Sequence, residues 1–242
     1  MRFAVISDIH SNLEALNEVL KDIRKRDIDE IICLGDIVGY GPNPNECVDL
    51  IREVCSICIK GNHDAAIESD DVLGSFNFYA KIAIQYSREV LDQDNIAYLS
   101  SLPLIATHDQ DIFVHGSPYK PEEWYYITME YSAIYAFTSF HEKRCFIGHS
   151  HIPQIFEEHA NKRISILMDT RMVLAEDRRY LINVGSVGQS RDGDSRASYG
   201  IMDLNKKEYH LIRIDYDYGK TQERMKMNSL PDYLINRLAL GN

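Results

Sequence analysis

Short apolar runs alternate with amphipathic segments along the first half of the chain, and this alternation restricts the fold more than any other feature. Phe3 to Ile6 is a β-rich apolar run. Leu13, Leu16, Val19, Leu20 and Ile23 follow at helical spacing. Ile31 to Leu34 is the next apolar run, Pro44 to Val54 has the pattern of a helix, and Ser56 to Ile59 that of a strand. Apolar runs joined by helices form the βαβ pattern, which predicts a largely parallel sheet with helices on its faces.

Further along, Phe76 to Val90 and Asn95 to Ser100 have helical patterns, and Pro103 ends that stretch. Leu104 to Thr107 and Ile112 to Val114 flank the polar turn His108 to Asp111, which predicts a hairpin. Tyr131 to Phe140 is expected to be a helix and Arg144 to Ile147 a strand. From Gln154 the pattern turns to strands: 154–158, 163–168, 180–183, 197–203 and 208–214. Helices return near Thr221 to Met227 and Pro231 to Leu240, and residues 160–179 carry the weakest pattern. No repeat, low-complexity stretch or linker interrupts the chain, so a single domain over residues 1–242 is expected.

Composition narrows the function classes. With 242 residues, 45% of them hydrophobic, the chain can bury a sizeable core without staples. The formal charge of -11 disfavours nucleic acid and anionic membranes as partners, though a locally positive site can still take an acidic substrate. No apolar run reaches the roughly 18 residues that span a bilayer. Met1-Arg2-Phe3 leads to Asp8 too soon for a signal peptide. Five cysteines, an odd number, are expected to be reduced thiols of a cytoplasmic protein. Cys55 and Cys58 form a Cys-x-x-Cys pair, but they lie in an apolar run without a second pair, so core thiols are the expectation.

The unusual polar residues follow the predicted strands. Asp8 and His10 come after the first, Asp36 after the second, and Asn62, His63 and Asp64 after the third. His115 follows Ile112 to Val114, and His149 and His151 follow Arg144 to Ile147. The crevice beyond the carboxyl ends of strands is where open α/β sheets bind ligands. Each short motif alone is weak: Asp-x-His arises by chance, and Asp64 in Gly-Asn-His-Asp has an ordinary reading as a helix cap. Five such segments together carry the argument. Imidazoles with carboxylates suit a first-row divalent ion such as Mn, Fe, Co, Ni or Zn. The set is too large for one ion, so two ions sharing a carboxylate are expected. No P-loop and no Gly-x-Ser-x-Gly elbow is present.

Asp8-Ile9-His10, Gly35-Asp36-Ile37-Val38-Gly39, Gly61-Asn62-His63-Asp64, His115-Gly116 and Gly148-His149-Ser150-His151 resemble, in order, the five signature blocks of the calcineurin-like metallophosphoesterases. Asn183-Val184-Gly185-Ser186 resembles the Asn-x-Gly-Ser element of that family's compact prokaryotic branch, which includes small phosphodiesterases and diadenosine tetraphosphatase-like proteins. The resemblance implies an α/β fold in which a two-sheet sandwich is flanked by helices in four layers, α/β/β/α. It implies a first ion held by Asp8, His10, Asp36 and His151, and a second held by Asp36, Asn62, His115 and His149. It further implies hydrolysis of a phosphate ester by a metal-bridging hydroxide. His63 would stabilise the phosphoryl oxygens or protonate the leaving oxygen, and Asp64 would hydrogen-bond His63 and set its tautomer.

The substrate side is less determined. The Asn183 to Gln189 loop has two readings, a phosphate-approaching backbone with Ser186 as hydroxyl donor, or a structural turn. Arg191 has likewise two, a phosphate clamp or a solvent-facing ion pair. Tyr119 to Tyr126, which holds the only Trp, and Tyr40 are candidates for aromatic walls or for core and dimer contacts. The expected partner is a phosphate-containing small molecule or nucleotide, with a homo-oligomer left open. The competing functions are a serine/threonine-type protein phosphatase and a catalytically silent metal-binding scaffold.

Overall fold

The computed structural model describes residues 1–242. The chain begins β1 (Arg2–Ile6), α1 (Leu13–Ile23), β2 (Glu30–Cys33), α2 (Pro44–Val54) and β3 (Ile57–Cys58). Four helices follow: α3 (Asn62–Ala65), α4 (Asp70–Gly74), α5 (Phe78–Val90) and α6 (Gln93–Ser101). Next come β4 (Ile105–His108), β5 (Asp111–Val114), α7 (Glu130–Phe137), β6 (Arg144–Ile147), β7 (Gln154–Glu158), β8 (Ile164–Leu167), β9 (Arg171–Val173) and β10 (Arg179–Asn183). β11 (Ala197–Asp203), β12 (Glu208–Ile214), α8 (Tyr218–Met227) and α9 (Asp232–Arg237) complete the chain. Local signals set several starts. The Asn12 side chain accepts from Ala15 N–H at α1, Pro44 occupies the first turn of α2, and Asn77 accepts from Ala80 N–H at α5.

The strands form two six-stranded sheets, in the orders β3-β2-β1-β11-β12-β9 and β4-β5-β6-β10-β7-β8. The expected largely parallel sheet is only half of each. β1, β2 and β3 are parallel in one, and β5, β6 and β10 in the other. The remaining pairings are antiparallel. The reason is connection length: β11 and β12 are joined by only four residues, which reverses the chain and leaves no room for a crossover helix. The weakly patterned stretch 160–179 contributes β9 at the edge beside β12. The short helices α3 and α4 have no periodic signal of their own.

Side-chain alternation explains the layering. On β1, Phe3 and Val5 enter the inter-sheet core with Phe113, Phe146, Tyr180 and Ile182, while Ala4 and Ile6 join the helix-side core with Leu16, Val19, Val48 and Ile51. Phe3 meets the Phe113 and Phe146 rings edge-on at 6.0 and 5.6 Å between centroids. On the far face, Ile112, Val114, Cys145 and Leu181 pack with Ala133, Ala136 and Phe137 of α7. Strands buried on both faces show as continuous apolar runs. The result is four layers, α/β/β/α. No helix is long and apolar enough to cross a membrane.

Candidate metal centre

The chain turns sharply after its parallel strands. Asp8, His10, Asp36, His149 and His151 all have positive φ, between 49° and 66°. Asp and His tolerate this region better than most residues, but a cluster of such positions is strain retained at one place. Two glycines admit the carboxylates. A Cβ on Gly61 would lie 2.1 Å from Asp36 Oδ1, and one on Gly148 would lie 2.4 Å from Asp8 Oδ2. Backbone amides fill that space: His63 N–H donates to Asp36 Oδ1 at 2.8 Å, and His149 N–H donates to Asp8 Oδ2 at 3.0 Å. Each carboxylate is thus held by one oxygen and free at the other.

The free oxygens face imidazole nitrogens. Asp8 Oδ1 lies 3.1 Å from His151 Nε2, 3.8 Å from His10 Nε2 and 3.9 Å from His115 Nε2. Asp36 Oδ2 lies 3.2 Å from His115 Nε2 and 3.7 Å from His10 Nε2. The other ring nitrogens are committed to the backbone. Nδ1 of His10, His115 and His151 bonds the carbonyls of Val38, Leu34 and Gln189. A proton on each Nδ1 leaves three Nε2 lone pairs turned inward, with His10 and His151 Nε2 only 3.0 Å apart.

That inward set is short of positive charge. Asp8 Oδ1, Asn62 Oδ1 and His115 Nε2 are buried without a hydrogen-bond partner. Burial lowers His115, yet without an ion Asp36 and Asp8 outweigh it and hold its pKa up at about 9, so its Nε2 lone pair becomes available only when a cation displaces that proton. Burial, then the charge on His115, lowers His149 to about 3, and burial takes His10 well below the usual value. Burial opposes ionisation of Asp36 too, but the surrounding imidazoles hold its carboxyl well below the usual range. Divalent ions answer such a donor set, and the groupings match two: Asp8, His10 and His151 form one triad within ligand distance, and Asp36, His115 and His149 another. A third grouping joins His10, Asp36 and His63, which the sequence does not suggest. The site therefore has the donors of a dinuclear divalent-metal centre.

The remaining candidates divide. Asn62, His63, Tyr40, Phe76, Tyr126 and His149 line one cavity of about 450 Å³. His63 packs among the rings of His10, Tyr40 and Phe76, with centroids 4.7, 4.5 and 4.6 Å away. Its Nδ1 is buried without a partner, and burial lowers its pKa to about 4, so the ring is neutral near pH 7. The expected Asp64–His63 hydrogen bond is absent. Asp64 instead accepts from the N–H groups of Asp36, Ile37, Val38 and Gly61, at 2.8 to 3.3 Å. Four converging amides outcompete one imidazole, and they make Asp64 a brace for the Asp36 turn.

Ser186 is likewise committed inward. It is fully buried, donates to the Asp8 carbonyl at 2.9 Å and accepts from Gln189 N–H at 2.8 Å. A hydroxyl so engaged has no donor left for substrate, so the structural-turn reading of this loop is the correct one for Ser186. Arg191 bonds Gln189 Oε1 and Tyr40 Oη, at 3.1 and 3.4 Å, rather than a carboxylate. By contrast, Arg196 pairs with Asp194 at 2.6 Å. The Tyr126 ring stacks on His149 at 3.9 Å. Phe76 escaped notice in the sequence because an apolar residue before a helix carries no functional signal.

Residues 1–207 match the family described as the calcineurin-like phosphoesterase superfamily domain. An uncharacterized protein of Methanocaldococcus jannaschii is 45% identical over 243 residues, covering 98% of this chain and 97% of its own. The crystal structure of a metallophosphoesterase from Sphaerobacter thermophilus is similar with a TM-score of 0.88 at 38% identity, covering 100% of this chain and 99% of that one. The phosphodiesterase YfcE of Escherichia coli is 26% identical over 134 residues, covering 50% of this chain and 71% of its own. With its layered fold, its paired metal triads and this match over most of its length, the chain belongs to the calcineurin-like phosphoesterase superfamily.

Proposed function

We propose that this chain is a metal-dependent hydrolase of small phosphate esters, whether monoester, diester or nucleotide, working as one unit over residues 1–242. The observation that carries the reading is the donor set: three Nε2 atoms and two free carboxylate oxygens meet in a buried space, with Asp36 grouped with His115 and His149 and also with His10. Asp8, His10, Asp36 and His151 would hold one ion, and Asp36, Asn62, His115 and His149 the other. Two divalent ions there supply charge neutralisation for a phosphoryl group and acidify water.

The chain's own groups do the rest. Arg191 supplies a fork of N–H donors that no carboxylate neutralises, suited to a non-bridging phosphate oxygen. His63, neutral near pH 7, donates an N–H hydrogen bond to the phosphoryl or leaving oxygen. Asn62 presents its orphaned Oδ1 to the second ion. The E. coli relative's name supports diesters as one substrate class. Five free thiols suit a reducing cytoplasm.

The test is a panel with Mn²⁺, Ni²⁺ and Fe²⁺ on bis-p-nitrophenyl phosphate, p-nitrophenyl phosphate, cyclic nucleotides, dinucleoside polyphosphates and a phosphopeptide. Metal-dependent turnover of the small esters is expected. Turnover of the phosphopeptide alone would move the assignment to a protein phosphatase. Inactivity on all, with both ions bound, would make the chain a scaffold.

A further inference from the structure

A second cavity adjoins the metal-side one. It measures about 340 Å³ and is walled by Tyr119, Tyr125, Tyr126, Ile127, Tyr131 and Tyr135. Tyr125 and Tyr126 line both cavities, so the two adjoin across these side chains. The thickness of one ring separates them at the metal end, where Tyr126 stacks on His149. Five tyrosines around one hollow is a third of the chain's fifteen, and all five are exposed.

Exposure of that many rings needs a reason. Aromatic side chains gain by burial, and a cluster left open on a concave surface marks a place that something else covers. The backbone beneath is held rather than loose. A 3₁₀ turn over Pro121–Glu123 is bounded by Lys120 and Trp124, both at positive φ, 49° and 45°. This turn presents Tyr119 and Tyr125 with their rings nearly parallel, 18° apart in orientation. Opposite them, Tyr131 and Tyr135 stand one turn apart on α7, with their hydroxyls 3.1 Å from each other.

The polar lining favours rings over hydrogen-bond codes. Ser132 Oγ donates to the Met129 carbonyl and accepts from Met129 N–H, and Ser117 Oγ accepts from Tyr119 N–H. The Ser132 hydroxyl is spent and Ser117 keeps a single O–H to donate, so a ligand meets mainly ring faces and phenol groups. A flat ring stacked on tyrosines, with tolerant polar edges, is the ligand such a lining recognises.

We infer that this tyrosine-walled cavity is a subsite for a planar aromatic group borne by the substrate, so that the reacting phosphate is esterified to a nucleoside or an aryl group. The inference rests on the phosphoesterase reading for its phosphate, but not for its ring. Concavity and a wall shared with the metal-side cavity, one ring away from His149, set it apart from a protein docking face, which would not need to lie beside the reacting centre.

Two diesters with one leaving group test it. Bis-p-nitrophenyl phosphate and methyl p-nitrophenyl phosphate both release p-nitrophenolate and differ in the group that stays. The paired variant Tyr131→Ala with Tyr135→Ala changes only exposed positions on a helix that alanine favours. The ratio of kcat/KM for the aryl over the methyl ester should fall about five- to hundredfold in that variant. Tyr131→Phe with Tyr135→Phe should restore it, because the ring faces return. Equal losses on both esters would overturn the subsite.

Saturation-transfer NMR with adenosine, benzyl alcohol and ribose provides an arm independent of hydrolysis. Transfer to adenosine or to benzyl alcohol, but not to ribose, is expected in the native protein and is lost with the alanine pair. The stronger of the two separates a nucleobase from a simple aryl group. Ribose responding as strongly as both ring compounds overturns the inference even if the panel of esters is hydrolysed. A dimer in sedimentation equilibrium that the alanine pair dissociates, with the ester ratio unmoved, would assign the cavity to a second copy instead and likewise overturn it.

Discussion

His63 and Asp64 adjoin in the chain, yet their side chains have different partners. Asp64 gathers four backbone amides and fixes the turn that carries Asp36. His63 faces the cavity with an unpartnered nitrogen. Substitution should separate them. Asp64→Asn places an N–H₂ against backbone donors, and each amide so orphaned costs about 1–3 kcal/mol. The expected result is a lower melting temperature and less metal per chain, measured by calorimetry and elemental analysis. His63→Ala should keep its metal while turnover falls by about 10² to 10⁴. Metal loss with His63→Ala would instead place His63 among the ligands, as its grouping with His10 and Asp36 permits. The residue types of the site were legible because carboxylates and imidazoles after apolar runs are unusual. The partner of Asp64 was not, because a carboxylate beside a histidine looks the same whichever group it bonds.

Elements were legible where burial was strongest. α2, β6, β7, β11 and β12 stand at the residues their patterns predict. α3, α4 and β9 are too short for a period to show, and packing from the rest of the chain decides them. At this scale the turn after a strand matters more than the strand. Gly148 joins β6 to His149, and a Cβ there would sit 2.0 Å from Ser7 Oγ and 2.4 Å from Asp8 Oδ2. Gly148→Ala should therefore displace the Asp8 carboxylate. Bound metal should drop below one ion per chain while the circular dichroism keeps its shape. Gly74→Ala is the contrast: its Cβ would meet nothing within 4 Å, and the reduced freedom of the unfolded chain predicts about 0.4–1 kcal/mol of added stability. Full metal content in Gly148→Ala would contradict the packing argument.

The whole molecule joins its two sheets at the metal centre. Asp8, His10 and Asp36 follow strands of one sheet, and His115, His149 and His151 follow strands of the other. Ions bound between them would fasten the two halves of the sandwich together. Each ion present at a hundredfold its dissociation constant adds about 2.7 kcal/mol to the folded state. For a chain of this size, removing both with a chelator should lower the melting temperature by on the order of 10 °C. An unchanged transition, with metal loss verified, would mean that the sheets hold the site rather than the reverse. The same ions resolve the charge balance, since two divalent cations in one cleft reverse its sign toward phosphate within a chain of net charge -11.

By itself the sequence determined the donor chemistry, the strand-and-turn segments that carry it and the resemblance to a family. Residue type and hydrophobic period are local properties, and they survive without coordinates. The tertiary structure decided which groups meet. His10 and His151 are 141 positions apart and have their Nε2 atoms at 3.0 Å. It also made Ser186, a candidate hydroxyl donor, and Asp64, the expected partner of His63, into backbone braces, and it set a tyrosine-walled hollow on the far side of Tyr126 from His149. The physical reason is that a polar atom bonds whichever partner folding brings within about 3 Å. That distance is set by two packed sheets and not by the order of residues along either one.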